Sequence, residues 1–170
     1  MVRQQAIGRA LRILGAVAIA LSGYIHYRLY FDEGYRSIDL ERVAGINLSR
    51  SFVLSIIVAA VVTVALLASL RWSALIVPAC AGGIVYGIGA IIAYTLSRTD
   101  DLLGFSESRW ITEAKIAKPA EAVAVVALAL AGAVALRRRS RPGASARGPG
   151  IPARSERPRN AGRVRMARRA

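Results

Sequence analysis

The sequence predicts an all-α, integral membrane four-helix bundle with a disordered basic C-terminal tail. Three observations lead there. Four apolar segments occupy about residues 10–30, 48–70, 72–97 and 118–136, each close to the ~20 residues a helix needs to cross roughly 30 Å of hydrocarbon. Hydrophobic residues make up 55% of the 170 residues, and the mean hydropathy is +0.43, higher than a water-soluble domain usually carries. Charge is segregated: of a net +14, residues 137–170 supply +11 from twelve Arg against the single acid Glu156, which leaves +3 for residues 1–136. This combination excludes a large soluble enzyme, a collagen-like chain and a disulfide scaffold. Cys80 is the single cysteine, so there is neither an internal disulfide nor a zinc-ligand spacing.

The second and third segments are the clearest. Residues 51–70 and 72–97 contain no charged side chain over 20 and 26 residues. Only Arg71 separates them, and the Arg71-Trp72 connection is too short for anything but a tight turn, so they must be antiparallel neighbours. The fourth segment is uncharged from residue 119 to 136 except at Glu121, and Pro119 suits a first helical position, where its missing N–H is not needed. The first is bounded by Arg12 and His26. A cleaved signal peptide would use Arg3, Arg9 and Arg12 as its basic region and residues 13–21 as its apolar core. The aliphatic and aromatic character continues through Tyr24, Tyr27, Leu29, Tyr30 and Phe31, which favours a retained helix ending in an interfacial aromatic belt.

Four spans put both termini on one side. That side carries Arg3, Arg9, Arg12, Arg71 and the twelve tail arginines; the other carries Arg28, Arg36, Arg42, Arg50, Arg98, Arg109, Lys115 and Lys118. Cationic residues concentrate on the cytoplasmic side, and Arg137, Arg138, Arg139 and Arg141 directly follow the last span. Both termini are therefore expected in the cytoplasm, with the chain in the plasma membrane.

Helices in lipid associate through close backbone approach and interhelical hydrogen bonds. Gly83 and Gly87 form a GxxxG pair for packing within the chain or, alternatively, against a second copy in a homodimer. Pro78 is expected to kink the third span.

Polar groups gather near the outer boundary. His26 and Tyr30 close the first span, Asn47 and Arg50 open the second, Tyr94 and Arg98 close the third, and Glu121 opens the fourth. These seven form a candidate polar cluster, with Glu121 expected to pair with Arg50 or Arg98. The plainer reading has the arginines reaching the headgroups, the tyrosines forming a girdle, and Glu121 stabilised in a first helical turn. The tail, with four Pro and four Gly among its arginines, cannot bury a core. Its expected partners are membrane lipids, through anionic headgroups. It has no aromatic side chain on which bases would stack, so nucleic acid is not expected. With one His and no CxxC, HExxH, P-loop or GxSxG, the chain offers no catalytic or metal site, and no cofactor is expected.

The segments His26-Tyr27-Arg28-Leu29-Tyr30, Gly34-Tyr35-Arg36-Ser37-Ile38, Thr95-Leu96-Ser97-Arg98 and Leu103-Gly104-Phe105-Ser106-Glu107, with Glu121 opening the last span, give residues 10–136 a general likeness. The chain resembles small uncharacterised four-span membrane proteins of actinobacteria, and departs from them at the charged Asp39-Leu40-Glu41-Arg42. The resemblance implies an integral membrane location and carries over no catalytic residue. The expected function is that of a non-enzymatic accessory or structural membrane protein, with a membrane-protein partner or a homodimer. The alternative is a small-solute, lipid or proton-coupled binding or transport protein that uses the outer polar cluster. A third reading makes the chain a subunit of a redox or envelope-synthesis enzyme whose chemistry lies on a partner.

Overall fold

A computed structural model describes residues 2–33, 36, 48–99 and 112–140. Four helices account for nearly all of these residues: α1 (Val2–Phe31), α2 (Leu48–Ala68), α3 (Ile76–Thr99) and α4 (Thr112–Arg139). At ~1.5 Å per residue they run about 45, 31, 36 and 42 Å, so each is long enough to cross a bilayer, and each is apolar enough. Among the described residues there is no strand. Asn47 and residues 141–170 of the expected disordered tail lie outside the described residues; residues 137–139, expected to begin that tail, instead continue α4.

The helices pack in cyclic order, α1 against α2 and α4, and α3 against α2 and α4. The α1–α4 and α1–α2 pairs are the most intimate. The α2–α3 pair, although joined by the shortest connection, is the loosest neighbouring pair. That connection is a tight turn in which the Trp72 N–H donates to the Ala68 carbonyl at 2.9 Å, followed by one 3-10 turn at Ser73–Leu75.

Two expectations, for Pro78 and Pro119, are corrected, and α1 extends beyond its apolar segment. Helix α1 begins at Val2 rather than near residue 10. Pro78 is the third residue of α3, inside the first turn, where its N–H has no intrahelical acceptor to lose; it removes no bond and has no reason to kink the helix. Helix α4 begins at Thr112, so Pro119 is inside it rather than at its first position. The turns before Pro119 are held by packing, with Ala114 and Ala117 buried. The loss of one i→i−4 bond at Pro119 is tolerable where neighbouring helices support the segment.

Small residues make the interior. On α4 the buried positions Ala114, Ala117, Glu121, Ala124, Leu128 and Ala131 follow a 3-4-3-4-3 spacing, with Ala120 and Ala127 buried beside them, the spacing that suits the seam of a helix bundle. On α1 the buried or half-buried positions Gly8, Arg12, Gly15, Ile19, Ser22 and His26 repeat every three or four residues. Large aliphatics point outward on all four helices, among them Val17, Val61, Val85 (71% exposed) and Val126. The polarity of a water-soluble bundle is thus inverted: the exterior is greasy and the seams hold Ala, Gly and polar side chains.

Gly83 and Gly87 lie on the packed face of α3. A methyl group at Gly83 would overlap Leu128 of α4 and come within 2.9 Å of Ile19 Cδ1 of α1. At Gly87 it would meet Val125 Cγ2 at 2.7 Å and the Glu121 carbonyl oxygen at 3.2 Å. The GxxxG pair is therefore consumed within the chain, which is the close backbone approach it was expected to permit.

Candidate functional site

Two polar clusters sit in the seams, at different depths. The deeper one centres on Glu121, whose side chain is 0% exposed. The sequence places Glu121 in the first turn of its helix; because α4 starts at Thr112, the carboxylate is instead about 14 Å along the helix. There it has no free helix N–H groups to lean on and needs side-chain partners. Lys118, one turn earlier on the same helix, supplies its Nζ at 2.6 Å from Oε2. Ser22 of α1 donates its hydroxyl to Oε1 at 2.8 Å. The Ser22 proton being committed there, the Tyr86 hydroxyl of α3 donates to Ser22 Oγ at 3.1 Å. Lys118 also donates to the Ala90 carbonyl of α3 at 3.1 Å and lies 4.9 Å from the centre of the Tyr94 ring, a cation–π distance. One carboxylate thereby links α1, α3 and α4.

The expected outer residues are distributed around this core. His26 lies one turn above Ser22 and donates Nδ1–H to the Ser22 carbonyl at 2.9 Å, with its ring 5.6 Å from that of Phe52 on α2. Tyr94 joins through Lys118, and Arg98 Nη1 reaches the Tyr94 hydroxyl at 3.5 Å. Tyr30 packs edge-on against Phe31 at 4.8 Å. Arg50 is exposed at the start of α2. The ion-pair partner of Glu121 is Lys118 and not Arg50 or Arg98: three residues along a helix is the nearest cation of all. Ser22, Tyr86 and Lys118 went unnoticed in the sequence. Their signal is positional, since Ser22 follows Arg12 and Ile19 on the α1 seam and Lys118 precedes Glu121 by one turn.

The second cluster is near the opposite end of the bundle. Arg12, only 6% exposed, donates Nε–H to the Gly8 carbonyl at 3.0 Å and Nη1–H to the Ser69 carbonyl and hydroxyl at 2.5 and 3.1 Å. The Ser69 hydroxyl proton goes to the Leu66 carbonyl at 2.6 Å, leaving its oxygen to accept from Arg12. Helix α2 has no basic residue in its last turn, and its final carbonyls carry the negative end of the helix dipole. Arg12 supplies the missing cation from α1. The sequence suggests a charge at a membrane boundary, whereas the packed structure uses it as a helix cap in trans. Arg12→Gln is expected to lower stability by about 1.5–3 kcal/mol, the range for a hydrogen bond to a charged group. Ser69→Ala, which keeps the carbonyl, is expected to lose about 1 kcal/mol or less. Urea titration in mild detergent, followed by helical circular dichroism, measures both.

Among the described residues the interior is almost fully satisfied: Thr63 Oγ1 is the one buried side-chain polar atom without a hydrogen-bond partner. No group of His, Cys, Asp and Glu among them converges as for a metal ion. The class these features define is an all-α chain with four helices of membrane-spanning length and a closed polar interior. Compared with protein-family models, curated proteins and solved structures, the chain gave no match.

Proposed function

We propose that this chain is a non-enzymatic, four-span protein of the plasma membrane, an accessory or structural component whose partners are lipids and other membrane proteins. The observation that carries the reading is the sealed Glu121. A carboxylate at 0% exposure, paired with Lys118 and capped by Ser22, is what a rigid bundle core requires in a medium that cannot solvate charge. The apolar exterior of all four helices supports insertion in lipid, because a water-soluble monomer rarely exposes so much contiguous apolar surface. Arg3, Arg9 and Arg71, with Arg137 at the end of α4, share the end of the bundle where both termini emerge, which supports a cytoplasmic placement. Residues 137–170, with their twelve arginines, contact anionic headgroups on that face.

A second reading draws on the same residues. A carboxylate, two hydroxyls and His26 facing one another are the chemistry of a proton-coupled solute site. Reconstitution into liposomes with an internal pH dye separates the two. As an accessory protein, parent and Glu121→Gln are equally silent under an imposed potential, and mild-detergent purification from native membranes yields the chain with a stoichiometric membrane-protein partner. Proton flux in the parent that disappears in Glu121→Gln would overturn the accessory reading. So would reporter fusions placing residue 170 outside the cell, or a chain that leaves the membrane on an alkaline carbonate wash, for the topology.

A further inference from the structure

The end of the bundle that carries Arg12 has a cleft that the packing above does not use. It has a volume of about 410 Å³ and is bounded by the start of α1, the α2–α3 turn and the last turns of α4. Arg9, Arg12 and Arg71 line it, with Gln5, Ser69 and Ser73, and among the described residues no acidic side chain does. The remaining wall is apolar and includes Ile76 and Val134. Arg12 is fixed in direction by its bonds to Gly8 and Ser69, while Arg9 and Arg71 are exposed at the rim. Three arginines, two of them one turn apart on α1 and the third in the α2–α3 turn, therefore line one concave space, with the Ser73 hydroxyl and the Gln5 amide beside them.

We infer that this cleft binds a phosphate-bearing anion, and that its source is the headgroup of an anionic phospholipid. Guanidinium forks match the oxygens of a phosphate bidentately and are the preferred partners of that group. A basic pocket between membrane helices at the headgroup level is a lipid-headgroup site by its chemistry, and the volume falls in the range of small-molecule pockets. The apolar wall continues onto the greasy exterior of the helices, so a headgroup seated among the arginines leaves its acyl chains along Ile76 and Val134. A free phosphate would use the arginines alone. The inference rests on the membrane-spanning reading and is separate from the proposed contact of residues 137–170 with headgroups.

Trp72 adjoins Arg71 and is exposed, which makes it a reporter for the cleft. In full-length protein carrying Trp110→Phe, Trp72 is the remaining tryptophan. Reconstituted into phosphatidylcholine nanodiscs, it is expected to be quenched saturably by brominated phosphatidylglycerol, with a preference of about tenfold over brominated phosphatidylcholine. Arg9→Gln/Arg71→Gln is expected to reduce the preference to near unity while leaving helical content and melting unchanged. Arg3→Gln/Arg137→Gln, which removes the same charge at exposed residues that do not line the cleft, leaves it intact. Inorganic phosphate at millimolar concentration is the second arm: a saturable Trp72 response to phosphate in purely zwitterionic discs, lost in the cleft double variant, assigns the site to a soluble phosphate and overturns the lipid source. Equal quenching by both lipids, or a cleft variant that behaves like the parent, overturns the site itself. Failure of the chain to enter discs of either lipid is a different result, and overturns the membrane-spanning reading instead.

Discussion

Glu121→Leu is expected to destabilise the bundle by about 3 kcal/mol, the largest effect of any single polar substitution in the chain. The variant strands Lys118, which is only 17% exposed, and removes the acceptor of the Ser22 hydroxyl, on which Tyr86 in turn depends. The Coulomb attraction is lost while the desolvation cost of Lys118 stays. Removing both charges removes both sides of that imbalance, so Lys118→Leu/Glu121→Leu is expected to recover most of the stability. Ser22→Ala takes away one hydrogen bond between helices and should cost only about 0.6–1.7 kcal/mol, the span measured for such bonds in membrane bundles. Urea unfolding in mixed micelles gives all three values. If Glu121→Leu and the double variant were equally unstable, the ion pair would not be what Glu121 contributes, and its shape alone would matter.

Leu128→Ala is expected to cost about 2–4 kcal/mol through a cavity at the centre of the bundle. Leu128 is 0% exposed and lies in a hole made by two glycines on different helices. A methyl group at Gly15 would stand 2.5 Å from its Cδ2, and one at Gly83 would overlap it. In lipid the transfer of a Leu side chain contributes little, so the loss is nearly all packing. The glycines make the prediction sharper. Gly83→Ala alone should destabilise by about 1–3 kcal/mol through overpacking. In the Leu128→Ala background the same change fills vacated space, and the double variant should be no less stable than Leu128→Ala. Gly89→Ala is the control, because nothing lies within 4 Å of its added methyl group; it should be neutral or slightly stabilising, as Gly→Ala in a helix is. Additive losses at 83 and 128 would mean that the two side chains are not in contact.

The second and third helices were legible because length and hydropathy together leave an uncharged stretch of 20 or more residues few alternatives, and the first and fourth as shorter apolar runs of the same kind. Their ends were less legible. Hydropathy stops at Pro119 and at Leu11, whereas the helices continue to Thr112 and Val2, since a helix outlasts its apolar part wherever neighbours still pack on it. The Gly83/Gly87 face was also readable, since in α3 those glycines are where another backbone can come close. The partner of Glu121 was not. The sequence offered Arg50 and Arg98 as its partners and passed over Lys118, because the choice depends on where α4 begins. Once Thr112 is the start, Glu121 is too deep for an interfacial arginine, and the lysine one turn away is within reach.

The sequence by itself determined that this is an all-α chain with four apolar helices, small residues along their seams and a basic end. Hydrophobicity is a local sum, and adding it along the chain requires no knowledge of neighbours. Only the tertiary structure decided which polar groups meet: Ser22 and Tyr86 with Glu121, Arg12 with the end of α2, and three arginines around one cleft. The hydrogen bonds between helices in these meetings join residues 57 to 99 positions apart. They depend on helix order, rotation and axial offset, which close packing of alanine and glycine sets and which no single stretch of sequence contains.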